Sequence, residues 1–128
     1  MKSINPADAA PGSMPPVAGP YSPAIVSGNL VFVSGQIAAS PVDGSLVGTN
    51  INEQTEQVIK NLSAVLEAAG SSLDKVIKTT CFLADMGDFA AFNKAYEKYF
   101  ISKPARSTVA VKTLPRNVLC EIETISEL

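Results

Sequence analysis

No histidine occurs among the 128 residues, and that absence removes much enzyme chemistry at once. A Ser-His-Asp or Cys-His arrangement cannot be assembled without an imidazole, and neither can a His-based zinc or iron site. Cysteine is scarce too. Cys81 and Cys120, in TTCFL and VLCEIE, are the only soft ligands, and in such strand-like stretches reduced core thiols are the expected state. No metal is expected. The formal charge is −2 and the pI near 5.0, with ten Lys and Arg dispersed along the chain rather than clustered. Nucleic acid is therefore not an expected partner. No apolar run is long enough to span a bilayer, and the N-terminus has neither a signal-peptide core nor the arginines of a mitochondrial presequence. The expectation is an intracellular, cytoplasmic protein, with the mitochondrial matrix as the alternative.

What is present fits a single domain over residues 1–128, a length that buries roughly two-thirds of the unfolded surface. Six of the nine prolines fall within residues 1–23, which predicts an irregular, extended arm because each proline fixes its φ and lacks a ladder donor. AIVSG and LVFVSGQIAA, joined at Gly28-Asn29, read as two strands. Val58, Ile59, Leu62, Val65, Leu66 and Ala69 repeat at helical spacing, with Gly70 as the stop, so residues 52–69 predict an amphipathic helix. KVIKTTCFLADM is β-branched and strand-like. DFAAFNKAYEKYF predicts a second helix capped by Asp85 or Asp88, its aromatic flank packed in the core. RSTVAVK and NVLCEIETI close the chain as strands around TLPR. The predicted order is ββαβαββ, an α+β fold with both helices on one face of a mixed sheet. Val31, Phe32, Val33, Ile77, Val109, Val111, Ile122 and Ile125 occupy both strand parities, more apolar surface than two helices can cover. Self-association is the expected remedy.

Arg106 raises a question within KPARSTVAVK. An always-charged guanidinium beside apolar packing calls for a carboxylate, from the chain or from a ligand. In its strand Arg106, Thr108, Ala110 and Lys112 share a face. A four-residue hairpin loop at Thr113–Arg116 pairs Thr108 with Glu121 and Arg106 with Glu123, gathering all four on one side. On this register Arg106 either forms a cross-strand ion pair with Glu123 or presents its fork to a ligand carboxylate.

The blocks GPYSPAI, FVSGQI, VIKTTCFLADMGDFAAFNKAYEKYF and PARSTVAVKTLPRNVLCEIE stand in this order. On them the sequence resembles the RidA/YjgF family of reactive-intermediate deaminases over essentially its whole length. The resemblance implies a chorismate-mutase-like α+β fold and a homotrimer with three sites in clefts between subunits. It implies a 2-iminobutanoate/2-iminopropanoate deaminase that needs no cofactor. Such a protein hydrolyses small 2-imino acids, formed from 2-aminoacrylate or 2-aminocrotonate, to 2-keto acids and ammonia. By the same resemblance Arg106 grips the substrate carboxylate and Glu121 positions or deprotonates water. Gly35 offers backbone near the substrate, Tyr21 and Asn93 line the cleft, and Thr108 stands where many relatives carry cysteine. On general grounds Tyr21 is equally a turn aromatic, Asn93 a surface residue and Gly35 a bulge glycine. Two rival readings remain: a non-enzymatic trimeric metabolite-binding or regulatory protein, and a ribonuclease or translation inhibitor.

Overall fold

Alternating apolar residues along six stretches give one six-stranded sheet, and two amphipathic stretches give the helices that cover one of its faces. A computed structural model describes residues 1–128. The strands are β1 (Lys2–Ile4), β2 (Ala24–Ser27), β3 (Leu30–Gln36), β4 (Val76–Leu83), β5 (Ala105–Ala110) and β6 (Cys120–Glu127); the helices are α1 (Ile51–Ala68) and α2 (Phe89–Tyr96). Their order keeps the expected ββαβαββ core and adds one short strand in front. The arm is thus more regular than expected, because Lys2–Ile4 pairs with β2 and Pro6–Asp8 forms a 3-10 turn.

Asn50 starts α1, its Oδ1 accepting from the Glu53 backbone N–H at 2.9 Å. Gly70, at φ +87°, ends it in the left-handed conformation that glycine adopts without strain. Asp85 caps a short 3-10 turn by accepting from the Gly87 N–H at 2.7 Å. Asp88 occupies the N-cap of α2 without a side-chain bond. The core lies between sheet and helices. Val58, Ile59, Leu62, Val65 and Leu66 of α1 and Phe92 and Tyr96 of α2 meet Val31, Val33, Cys81, Leu83, Cys120 and Ile122, all buried.

The strand order is β1-β2-β3-β6-β4-β5. Every pair is antiparallel except β4–β5, which are parallel and joined through α2. This overturns the expected β5–β6 hairpin. β6 inserts between β3 and β4, and β5 becomes an edge strand that pairs only with β4. The intervening turn enforces the departure: Leu114 and Val118 are buried anchors, and Arg116 and Asn117 both take φ 56°, swinging the chain away from β5.

The new register re-sorts the side chains. Arg106 aligns with Thr79 and Thr124, and Thr108 with Cys81 and Ile122, all on the helix-covered face. Glu121 aligns with Phe82 and Val109 on the opposite face. On that uncovered face Ile25, Phe32 and Ile125 form a cross-strand row, and Phe32, Ile77 and Val109 remain exposed.

Candidate functional site

Arg106 sits half-buried on the edge strand, and α2 crosses above it. Phe89, Asn93 and Tyr96 lie on one face of α2 at i, i+4 and i+7, and all three meet the guanidinium. Arg106 Nη1 donates to Asn93 Oδ1 at 2.8 Å. Its Cζ stands 4.8 Å from the Tyr96 ring centroid and 5.6 Å from that of Phe89, a cation over two aromatic faces. The Tyr96 hydroxyl is held in turn by Thr79 Oγ1 at 2.7 Å. The aromatic flank of α2, expected to be core alone, thus also cradles the cation.

No acid of the chain pairs with this cation. The one ion pair joins Lys98 to Glu56 at 3.1 Å, and Glu123, one of the two partners the hairpin register allowed, lies on the other face of the sheet. Two residues along the same face, Thr108 Oγ1 is buried without a hydrogen-bond partner. Arg106, Asn93 and Thr108 therefore form one half of the expected constellation.

The other half lies on the uncovered side. Tyr21, Gly35 and Glu121 line a cleft of about 640 Å³ whose walls are the Pro-rich arm, the end of β3, the loop after it and the turn before β6. Gly35 falls where the β3–β6 register shifts between Val33 and Gln36, a bulge that re-aims the strand. A Cβ on Gly35 would collide with the Glu121 carboxyl group, meeting its Cδ at 2.8 Å. Only glycine lets that carboxylate lie across the backbone. Burial, and secondarily the neighbouring Glu123 charge, raise the Glu121 pKa above its ordinary 4.5. Cys81 and Cys120 are fully buried and their thiols pushed up by burial, Cys120 to about 11. Burial thus disfavours the thiolate at both positions.

The structure thus brings Tyr21, Gly35 and Glu121 together, and separately Arg106, Asn93 and Thr108, with the sheet between the two groups. The expectation that Arg106, Thr108, Glu121 and Glu123 share one side is incorrect, because it rested on the hairpin. Sequence reasoning also missed Arg116 and Asp43, which line the Glu121 cleft, and the buried polar residues of α1 that fasten its loops. Asn61 Nδ2 donates to the carbonyls of Ile37 and Ala39 at 3.0 and 2.9 Å. Gln54 accepts from the Leu119 N–H at 2.8 Å and donates to the Gly48 carbonyl at 3.3 Å.

The sequence model of the family described as Endoribonuclease L-PSP matches residues 12–128. A protein of Lactococcus lactis named as a regulator, AldR, is 50% identical over 115 residues, covering 89% of this chain and 91% of its own. Reactive Intermediate Deaminase A, chloroplastic, of Arabidopsis thaliana is 47% identical over 115 residues, 89% of this chain and 62% of its own length. Among solved structures, E. coli TdcF with bound serine superposes with a TM-score of 0.90 at 34% identity, covering 100% of this chain and 99% of that one.

Proposed function

Because the chain belongs to the Endoribonuclease L-PSP family, which includes the YjgF and RidA proteins, we propose that it hydrolyses reactive 2-imino acids to 2-keto acids and ammonia. One observation carries this reading: Arg106 is a half-buried, ring-flanked guanidinium with no acid of the chain to neutralise it. A planar fork so held matches a small carboxylate in two parallel hydrogen bonds. The Asn93 amide fixes one arm of the fork, and Thr108, its hydroxyl buried and unpartnered, stands two residues along the same strand face.

Arg106 and Glu121 occupy opposite faces of one sheet, so a three- or four-carbon substrate cannot touch both within a single chain. A second copy removes the difficulty. Packing on the apolar face of Phe32, Ile77 and Val109 would bring the Glu121 cleft of one protomer to the exposed β5 edge of the next. A homotrimer would repeat that contact three times with closed symmetry.

The chemistry then needs few groups, and none of them an imidazole. A protonated imine is already electrophilic, so positioning supplies much of the rate. Arg106 holds the carboxylate. Glu121 takes a proton from water as oxygen bonds to C2, and returns it to nitrogen to give a carbinolamine with an ammonium leaving group. Glu121 then takes the hydroxyl proton as the C–N bond breaks, and passes it to ammonia. Iminium plus water becomes keto acid plus ammonium, with the carboxylate restored. A carboxylate whose pKa burial has raised is a better base for this work than a free one.

The test is keto-acid release from 2-aminoacrylate generated by a dehydratase. The protein should accelerate it, and Arg106→Ala should lose about a hundredfold of that acceleration with the fold retained. Full activity in Arg106→Ala would remove the clamp role. Ligand binding without turnover in the unaltered protein would favour a regulatory reading, to which the name of the L. lactis relative points.

A further inference from the structure

Arg116 is the only cation lining the Glu121 cleft, and nothing in the proposed reaction uses it. Its backbone is unusual: φ 56° and ψ 22° put an arginine in the left-handed region, and Asn117 follows with φ 56°. Side-chain-bearing residues adopt that conformation at a cost, and such departures concentrate where a binding site over-determines the chain. Tertiary contacts hold the turn. Leu114 and Val118 are buried on either side, and Arg116 Nη1 donates to the Gly44 carbonyl at 2.7 Å, tying the turn to the loop across the cleft. That bond employs one of five guanidinium donors, and no acid of the chain pairs with the rest.

The other charges of the cleft are Glu121, given to the reacting water, and Asp43. Asp43 is turned back on its own loop, accepting from the N–H and hydroxyl of Ser45 at 2.9 and 2.7 Å. The cleft, about 640 Å³, falls in the range that encloses drug-sized ligands and exceeds what a four-carbon acid fills. Given the proposed reaction, the α-carboxylate belongs to Arg106. Arg116, lining the same cleft as Glu121 with most of its donors uncommitted, then has the far end of the substrate to recognise.

We infer that Arg116 is a specificity-determining residue that selects 2-imino acids whose side chain ends in a second carboxylate. The inference rests on the imino-acid reading, and its test separates the two. An amino acid oxidase generates imines in place from glutamate, which carries the second carboxylate, or from leucine, which does not. Imine consumption by the native protein and by Arg116→Ala and Arg116→Lys is followed by competitive trapping.

The native protein should prefer the dicarboxylic imine. Arg116→Ala should lower its kcat/KM by roughly tenfold, mainly through KM, while changing the monocarboxylic imine less than twofold. Arg116→Lys should fall between, keeping the charge but not the fork. An equal loss on both imines would overturn the inference, since a residue that only ties the two loops, or one that holds the α-carboxylate, affects every substrate alike. No loss on either would also overturn it. Failure of the native protein to consume any imine would instead strike the proposed reaction itself.

Discussion

Glu121 is a carboxylate that folding makes reluctant to ionise, and both its use and its cost follow from that. Burial comes first and the adjacent Glu123 charge second, and both raise its pKa. A folded-state pKa above the unfolded one means that this group favours folding most below its ordinary 4.5, and that the contribution is lost as pH rises through the folded value. Glu121→Gln, which cannot ionise, should therefore be more stable than the native protein near pH 7. The expected gain is on the order of 0.5 kcal/mol, kept small by solvent screening of a half-exposed group. The difference should vanish below about pH 4, whereas deamination should fall by at least about a hundredfold at all pH values. Thermal unfolding at the two pH values checks this; a variant less stable at both would show the carboxylate to be anchored by bonds. At this scale the sequence marks Arg106, a guanidinium in an otherwise uncharged strand, whereas Glu121 is picked out only by the family resemblance, and the parity that set it beside Arg106 fails once β6 pairs with β4 instead of β5. Arg116 stayed hidden, since its place in the cleft depends on a backbone conformation that no neighbouring glycine announces.

The elements divide into those written locally and those decided by competition. The helical spacing of α1 and its terminal Gly70 require nothing beyond their own segment, and they appear within a residue of the expected span. The partner of β5 is a different matter. A short connection to β6 invites a hairpin, yet β4, α2 and β5 form a crossover unit that favours a parallel neighbour, and alternation along β5 satisfies either pairing. The crossover prevails, and with it the sides of the sheet on which Arg106 and Glu121 fall. Apolar periodicity is equally silent about polar pins. Asn61, 1% exposed, interrupts no pattern, yet with Gln54 it fastens α1 to the loop walling the cleft. Asn61→Ala should leave the Ala39 carbonyl and the amide of Gln57 without their partner, while the Ile37 carbonyl keeps only the Ala39 N–H. The expected cost is about 3 kcal/mol, read as a lower urea midpoint at unchanged slope. The exposed cap variant Asn50→Ala, losing a single bond, should cost only about 1 kcal/mol. Equal losses from the two would mean that water replaces Asn61 in the loop.

On the scale of the whole molecule, one fact organises the rest: the sheet separates Arg106 from Glu121. If catalysis required both from one chain, two variants each lacking one group could never repair each other. If each site takes Arg106 from one protomer and Glu121 from its neighbour, they can. Arg106→Ala and Glu121→Gln should each be inactive alone. When the two are unfolded together in equal amounts and refolded, about one quarter of the inter-subunit sites should receive an intact arginine from one side and an intact glutamate from the other. Activity should then return to about a quarter of the native level, the rate per intact site being unchanged. The same mixture refolded separately and combined afterwards should stay inactive for as long as subunits do not exchange. Val109→Asp, which sets a charge on the uncovered apolar face, should block the rescue by lowering the mass in solution toward that of one 13.4 kDa chain. Absence of rescue from mixed assemblies of full mass would place the working carboxylate clamp on the same chain as Glu121, and Arg116 would then be the residue to examine for it.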